Sequence, residues 1–484
     1  MTILTGILTL ILIFITILII RTVKFSRKPL DDTSTETKID GSPQAAEHLS
    51  EALQFKTVSH HDKSLTDWDA FKAFHAWLKR TYPHAHTQLE REIIHTYTLH
   101  YIWQGTNQEL EPILLTAHQD VVPEGDLSGW EHPPFAGETA DGYLWGRGSI
   151  DVKIQIIEIF EAIELLISKG FKPERTVHLC FGHDEELGGT DGAAKAAHYF
   201  EEQGLHFSMV LDEGGAVTEN VLPGITQPIA TIGIGEKGYM DLTISCSASG
   251  GHSSMPMPFT ALSKVSQAIN TLQSHPLPTR LTTAPAEMFR TLGPYMSLVN
   301  RIALANLWLF KPLFLAIMAK NAASNAMVRT TMAATMAHGS DAPNILPTEA
   351  YGLMNIRLLP GDSSDKVLAY AKHLIKDKDI TIGTRRKVNP SAISPTNIHE
   401  FALLRQSVTH IFPDAIISPY LMAGGSDARK YEKTAENIYR FCPYQLDAAE
   451  LGRMHGYNER ISLVNIQKGV SFFLHLIQSF TLYQ

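Results

Sequence analysis

Short apolar runs alternate with longer helical segments through the first half of the chain, and this order restricts its fold more than any other feature. Residues 112–117 and 176–181 are typical of buried strands, whereas 154–169 has apolar residues at helical spacing. A helix at 191–203 and a strand at 207–211 continue the order. Repeats of this kind predict an α/β fold, in which helices cover a mostly parallel sheet.

The pattern changes after residue 232. Residues 240–247 alternate in strand fashion, and residues 351–359 indicate a second strand of the same region. A helix at 464–481 ends the chain. The predicted organisation is a membrane anchor with its basic flank (1–28), a linker (29–43), two parts of a catalytic domain (44–237 and 384–484), and between them an α+β lid or dimerisation-type domain (238–383) with an apolar insertion near 292–320.

The first segment predicts an N-terminal transmembrane helix. Residues 2–20 contain no charge and would span about 28 Å as a helix, close to the hydrocarbon thickness of a bilayer. A cleaved signal peptide is the alternative, but a basic start and a small-residue cleavage site are not evident. Basic residues follow at 21–28, and by the positive-inside rule they favour a cytoplasmic location for the rest of the chain.

Charge and cysteine content narrow the function classes. The chain has 41 Lys and Arg against 50 Asp and Glu, a net charge of −9, which gives no reason to expect a nucleic-acid partner. Three cysteines without a CxxC pair support neither a disulfide framework nor a structural zinc site. Any metal site must therefore use His, Asp and Glu.

Such residues follow the predicted strands, at what should be one edge of the sheet. The candidate ligands and bases are His118, Asp120, Asp151, Glu185, Glu186, Asp212 and His455. Each motif alone is common by chance, but several of them follow directly on an apolar strand, where a solvated charge run has no special reason to lie. Oxygen and imidazole donors without thiolate suit zinc, cobalt or manganese in a hydrolytic site.

The motifs together resemble one enzyme family in order and spacing. They are HQDVVPEGD, WGRGSIDVK, FGHDEELGG, LDEGG, SGGHSSMP, NILPTEAYGLMNIR and MHGYNERI. This set is similar to the co-catalytic zinc metallopeptidases of the carboxypeptidase G, aminoacylase and succinyl-diaminopimelate desuccinylase family, in particular to its branch of Gly-X carboxypeptidases and N-fatty-acyl-amino-acid synthase/hydrolases.

The resemblance implies a role for each matching residue. Asp151 would bridge two zinc ions, which His118 and Asp212 complete on one side and Glu186 and His455 on the other, with Glu185 as the general base and Asp120 orienting the His118 ring. His252 would stabilise the oxyanion, Asn344 and Arg357 would bind the substrate carboxylate, and Gly424 and Gly425 would form the adjacent loop. The family also implies a cis peptide between Asp151 and Val152.

The expected enzyme is a membrane-anchored di-zinc amidohydrolase, in which Co²⁺ or Mn²⁺ could replace zinc. It would cleave the amide of a C-terminal or N-acylated amino acid, so its substrate is a small peptide or an N-acyl amino acid. Dimeric relatives supply the lid histidine from the neighbouring subunit, which makes a homodimer an open alternative here. The other readings are a dipeptidase or aminopeptidase-like enzyme of the same fold, and a non-catalytic binding protein.

Overall fold

The computed structural model describes residues 2–26, 40–219, 222 and 224–481. The helices are Thr2–Lys24 (α1), Ala45–Leu53 (α2), Trp68–Thr81 (α3), Pro83–Gln88 (α4), Lys153–Ser168 (α5), Ala193–Glu202 (α6), Ala261–Ser274 (α7), Thr283–Leu292 (α8), Leu298–Ala305 (α9), Leu307–Met318 (α10), Ala322–Val328 (α11), Ser364–Leu374 (α12), His399–Ile411 (α13), Ala448–Leu451 (α14) and Leu463–Thr481 (α15).

The strands belong to one large sheet and three smaller ones. They are Glu90–Ile94 (β1), Thr98–Trp103 (β2), Ile113–His118 (β3), Glu138–Ala140 (β4), Tyr143–Trp145 (β5), Val177–Gly182 (β6), Met209–Asp212 (β7), Val217–Thr218 (β8), Ile229–Glu236 (β9), Gly238–Ser247 (β10), Gly251–His252 (β11), Thr331–His338 (β12), Ile345–Leu346 (β13), Glu349–Leu358 (β14), Ile380–Val388 (β15), Ile416–Met422 (β16), Ile438–Arg440 (β17), Gln445–Leu446 (β18) and Arg460–Ser462 (β19).

The large sheet has ten strands, in the order β1-β2-β6-β3-β7-β17-β9-β8-β18, with β16 also paired to β9. Its centre, β6-β3-β7-β17, is parallel, as the strand–helix alternation predicts. The edges add antiparallel pairs. One of them is formed by β1 and β2, which are joined by a turn too short for a parallel crossover. The α/β prediction is confirmed, and the sheet as a whole is mixed.

Helix α5 lies in the main core and positions the residue that precedes it. Ile154, Ile157 and Phe160 are fully buried, and the Phe160 ring stacks on Tyr82 at a centroid distance of 4.9 Å. The helix packs against α15, close to the bounds predicted for both helices. Truncating a ring buried in this way costs about 3–5 kcal/mol. This packing fixes the start of α5 at Lys153, two residues after Asp151.

A second, antiparallel sheet has the order β12-β14-β10-β15 and packs against α7 and α12. The predicted end of the lid domain, residue 383, falls inside β15, which pairs with β10 as far as Val388. The strand pairing therefore moves the proposed end of the lid from residue 383 to residue 388. Two chain segments join the lid to the catalytic domain, and they lie side by side. Ser391 N donates to Glu236 O at 3.1 Å, and Glu236 N donates to the Ser391 hydroxyl at 2.7 Å.

The apolar stretch predicted near 292–320 forms α9, α10 and the turn before them. It packs with α8 on residues of the catalytic domain, among them Ile229 and Ile416, and α9 contacts α1. It is therefore interposed between the N-terminal helix and the catalytic sheet, and the lid sheet lies elsewhere.

Candidate metal centre and its cleft

Three adjacent parallel strands, β6, β3 and β7, deliver the acidic and imidazole groups to one edge of the sheet. His118 is the last residue of β3, and Glu213 directly follows β7. Glu185 and Glu186 begin a 3-10 turn that follows β6 after two further residues. The carboxyl ends of neighbouring parallel strands meet at one edge, so these side chains converge.

The first group of donors consists of His118, Asp151 and Glu213. The Nε2 atom of His118 lies 3.0 Å from Asp151 Oδ1 and 3.5 Å from Glu213 Oε1. One donor atom from each of the three residues lies within 4.8 Å of the others. His118 and Asp151 are buried. The group has the spacing of a metal-binding site.

The second group consists of Asp151, Glu186 and His455. The Nε2 atom of His455 lies 2.8 Å from Asp151 Oδ2 and 3.1 Å from Glu186 Oε2. Asp151 thus turns one carboxylate oxygen toward each group, which is the arrangement that a bridging ligand needs. The expected cis peptide between Asp151 and Val152 is present.

Glu213 stands where the resemblance implied Asp212. Asp212 is still in strand register with Arg440, and its Oδ2 accepts a hydrogen bond from Ala428 N at 2.6 Å. Glu213, the next residue and the first one after the strand, faces His118 instead, with its Oε1 atom 3.5 Å from His118 Nε2. Asp212 belongs to neither donor group among the residues that the structure describes.

The donor groups bring several carboxylates close together in a place that is largely shielded from water. Burial raises the pKa of Glu213 to about 8, with a further rise from Asp151. Burial also raises the pKa of Glu186 and of Glu185, although each residue as a whole is only half-buried. Hydrogen bonds to Asp151 and Glu186 raise the pKa of His455 to about 10. Excess negative charge of this kind, on hard oxygen and imidazole donors, fits divalent cations that replace the bound protons.

Asp120 supports the site through the backbone. Its Oδ1 accepts from Glu185 N at 3.1 Å and its Oδ2 from Glu186 N at 3.2 Å, while Ser59 donates to Oδ2 at 2.7 Å. The His118 ring meets the backbone oxygen of Asp120 at 2.8 Å and its carboxylate only at 3.5 Å. Asp120 therefore fixes the backbone of the turn that carries Glu185 and Glu186, and it also contacts the His118 ring.

Glu459 is a supporting residue that the motif analysis missed. It is fully buried, lies 2.6 Å from Arg147 Nη1, and accepts hydrogen bonds from Gly148 N, Ile150 N and Asp151 N. Its carboxylate thus fixes the backbone that presents Asp151. The residue is part of the MHGYNERI motif, but nothing in that motif distinguishes a buried glutamate from a surface one.

A cleft of about 220 Å³ opens beside the two glutamates. Residues of both the catalytic domain and the lid line it, including Glu185, Glu186, Lys237, Tyr239, Arg357, Arg386, Gly425, Asp427 and Arg429. The Arg357 guanidinium lies 4.9 Å from the centre of the Tyr239 ring and donates to Ala423 O at 3.3 Å. A wall of guanidinium and ammonium groups therefore faces the acidic centre.

The remaining predicted site residues fall in two places. Gly425 lines the cleft, and its neighbour Gly424 has open space around its Cα. His252 and Asn344 lie together at the far end of the lid, where Ser253 N donates to Asn344 O at 3.0 Å. His252 is exposed, and its Nδ1 meets the Ser254 hydroxyl at 2.8 Å. Within this single chain, neither residue is among those that line the cleft.

Comparisons with known proteins agree with this architecture. Peptidase family M20/M25/M40 matches residues 114–479. A probable carboxypeptidase S-like protein of Dictyostelium discoideum is 37% identical over 96% of this chain and 91% of its own length. An N-fatty-acyl-amino acid synthase/hydrolase of Xenopus tropicalis is 33% identical over 99% of this chain and 95% of its own.

The fold has also been seen in solved structures. The crystal structure of an M20 family metallo-carboxypeptidase from Sulfolobus solfataricus matches with a TM-score of 0.68 at 17% identity, and the match covers 91% of this chain and 100% of that one. A dinuclear metal-binding M20 peptidase of Bacillus subtilis matches with a TM-score of 0.56 at 12% identity, over 90% of this chain and 99% of its own. This chain is a hydrolase and belongs to peptidase family M20/M25/M40.

Proposed function

We propose that this hydrolase cleaves the amide bond next to a C-terminal amino acid, in a peptide or in an N-acyl amino acid. One observation carries the proposal: a cationic cleft opens directly on the centre in which Asp151 is shared by two donor groups. A substrate with a free carboxylate beside its scissile amide matches this arrangement, because the carboxylate would lie in the cationic cleft while the amide lies at the centre around Asp151.

Arg357 is the proposed carboxylate-binding residue. Its guanidinium is planar and presents two parallel N–H groups, which suit a carboxylate better than a point charge does. The ring of Tyr239 holds the guanidinium on one face. Lys237 is less available, because its Nζ already donates to the carbonyl oxygens of Ala326 and Arg329. Asn344 stays a prediction as a second carboxylate-binding residue.

We propose that the two donor groups hold two Zn²⁺ ions, for which Co²⁺ or Mn²⁺ could substitute. His118 and Glu213 would serve one ion, Glu186 and His455 the other, and Asp151 both. Bound divalent ions supply Lewis acidity, which polarises an amide carbonyl and makes a water molecule easier to deprotonate. Glu213 takes the place of Asp212 in this assignment because of the direction of its side chain.

Glu185 is the proposed general base. It lines the cleft, and it is not one of the donors of either group. Burial raises its pKa, so its carboxylate, once ionised, is a stronger base than an exposed glutamate. It would take a proton from the attacking water and then give it to the leaving amine. His252 stays a prediction as the donor to the oxyanion, from this chain or from a second copy.

The competing reading is a dipeptidase or aminopeptidase-like enzyme, which would recognise a free amino group instead. A hydrolysis panel on the zinc-loaded full-length protein separates the two. It compares Gly-X dipeptides, short N-acyl amino acids and N-fatty-acyl amino acids, each as the free acid and as the C-terminal amide. We expect the free acids of N-blocked substrates to be cleaved. Equal turnover of acid and amide would contradict the proposal.

Helix α1 is the proposed membrane anchor. By length and composition Ile3–Lys24 could cross a bilayer, and its apolar side chains are almost all exposed. A cleaved signal sequence would have similar properties. The molecular mass of the mature protein, measured by mass spectrometry after expression in a secretion-competent host, decides between the two.

A further inference from the structure

Helices α9 and α10 carry an apolar surface that the described part of the chain leaves open. Trp308 is 56% exposed and Leu313 is 60% exposed, and Leu309 and Ile317 are exposed as well. Leu309, Leu313 and Ile317 follow one another at intervals of four, which places them on one face of α10. Contiguous exposed apolar surface of this kind marks a contact with a membrane or with another protein.

The contacts between this segment and α1 decide between those partners. Arg21, near the end of α1, donates from Nε to Ala305 O at 3.1 Å. The ring of Phe14 meets Trp308 edge-on at a centroid distance of 6.0 Å. Phe14 precedes Arg21 by seven residues, or about 10 Å of helix. The segment therefore extends along the apolar part of α1, away from its basic end.

The side-chain amide of Asn306, which lies at this contact, has its partners within the protein. Asn306 Nδ2 donates to Ile302 O at 2.9 Å and lies 3.4 Å from Leu18 O and 3.3 Å from the Thr22 hydroxyl. The indole of Trp308 points at Asn306 Oδ1 at 3.4 Å. Asn306 is fully buried. An amide that is satisfied within the protein is compatible with a hydrocarbon environment.

Cationic groups mark the other end of the same surface. Lys24, Arg290 and Arg405 line a cavity of about 630 Å³ together with Phe25 and Tyr295. The cavity lies at the basic end of α1, where the helix would leave the bilayer. Lysine and arginine at this level attract anionic lipid headgroups.

We propose that α9 and α10 enter the bilayer beside α1, with the cations at Lys24, Arg290 and Arg405 at the level of anionic headgroups. The inference rests on the proposed anchoring by α1 and goes beyond it. The catalytic domain is then held against the membrane at a fixed depth, because helices that pack on it share the bilayer with the anchor.

Depth measurements on full-length protein in vesicles of phosphatidylcholine and phosphatidylserine test the proposal. Single variants Leu313→Cys and Leu127→Cys would be labelled with an environment-sensitive fluorophore; the two positions are 60% and 61% exposed, so they are matched. We expect the label at position 313 to be shifted to the blue and quenched by lipid-borne nitroxides, and the label at 127 to be quenched by aqueous iodide. The three native cysteines are buried, and the unmodified protein measures their background.

A third variant, Leu12→Cys, separates this inference from the anchor itself. If the label at 12 is quenched from the lipid and the label at 313 is quenched by iodide as strongly as that at 127, the inference is wrong and the anchor stands. If all three are quenched by iodide, both fail. Hydrolysis of a water-soluble short N-acyl amino acid is measured on the same samples, so a failure of the proposed activity would be seen independently.

Discussion

Glu185 and Glu186 are neighbours in the chain, but their carboxylates have different surroundings. Glu186 Oε2 lies 3.1 Å from His455 Nε2, whereas Glu185 belongs to neither donor group and lines the cleft beside them. We expect Glu185→Gln to lower turnover by about 10²–10⁴-fold with the bound metal retained. Glu186→Gln should instead lower metal content. Metal analysis and kinetics on both variants check this, and the reverse pattern would exchange the two roles.

Glu213 and Asp212 allow a similar comparison. Glu213→Gln should lower the affinity for one of the two metal ions, because it replaces a carboxylate in the group with His118 and Asp151. Asp212→Asn should retain both ions, since that side chain meets Ala428 N. Metal titration of the two proteins distinguishes them. Loss of metal only in Asp212→Asn would restore the assignment implied by family resemblance.

Arg357→Ala should lower kcat/KM for a free-acid substrate about ten- to a hundredfold, because a hydrogen bond to a charged group contributes roughly 1.5–3 kcal/mol. Metal content should not change. Arg385→Ala is the matched control: it removes the same charge from β15, and Arg385 is not among the residues that line the cleft. Similar losses in both variants would indicate a general effect of charge and count against a carboxylate clamp.

At this scale the sequence predicts which strand ends carry the chemistry but not each side chain's direction. His118, Asp151, Glu186 and His455 come together as the motifs indicate. The choice between Asp212 and Glu213 depends on where the strand ends relative to its neighbour, a difference of one residue that reverses the face. The local amino-acid composition does not show at which residue β7 ends relative to the neighbouring strand.

At the scale of elements, the loop that presents Asp151 depends on the buried pair of Arg147 and Glu459. We expect Glu459→Gln to lower the free energy of unfolding by about 3–5 kcal/mol, because it leaves Arg147 buried without its counter-ion. Denaturant unfolding measures the change. Asp69→Asn, which breaks an exposed pair with Lys72, is the control and should have little effect. An equal loss of unfolding free energy in the two variants would mean that burial of the Arg147–Glu459 pair does not contribute to stability.

The central strands and the two core helices could be predicted from periodicity, because the pattern of apolar residues along each element follows directly from its burial in the core. Helix α5 lies within one residue of its predicted bounds. The position of residues 292–320 could not be predicted in the same way. Their apolar character indicates that they are buried or in contact with a partner. Only the tertiary arrangement shows that the packing partners are α1 and β16.

At the scale of the whole molecule, we expect the stability of the fold to depend on metal, because the donor groups are rich in buried and half-buried carboxylates. Chelation should abolish hydrolysis, and removal of about two ions per chain should lower Tm, because a ligand bound only by the folded state stabilises it by roughly 4 kcal/mol at a thousandfold excess over Kd. Scanning calorimetry before and after chelation, with zinc added back, measures the change in Tm, and a hydrolysis assay on the same samples measures the loss of activity. Full activity in metal-free protein would end the metal assignment.

The paired segments at Glu236 and Ser391 are the covalent connection between lid and catalytic domain. Arg357 pairs with Tyr239 just beyond this point, whereas β10 continues for ten residues, or about 30 Å, toward the end of the lid that carries His252. The connection is thus a fulcrum, with Arg357, the proposed carboxylate-binding residue, beside it and His252 at the end of a long lever arm. Any rotation of the lid would sweep His252 through a wide arc while leaving Arg357 almost where it stands.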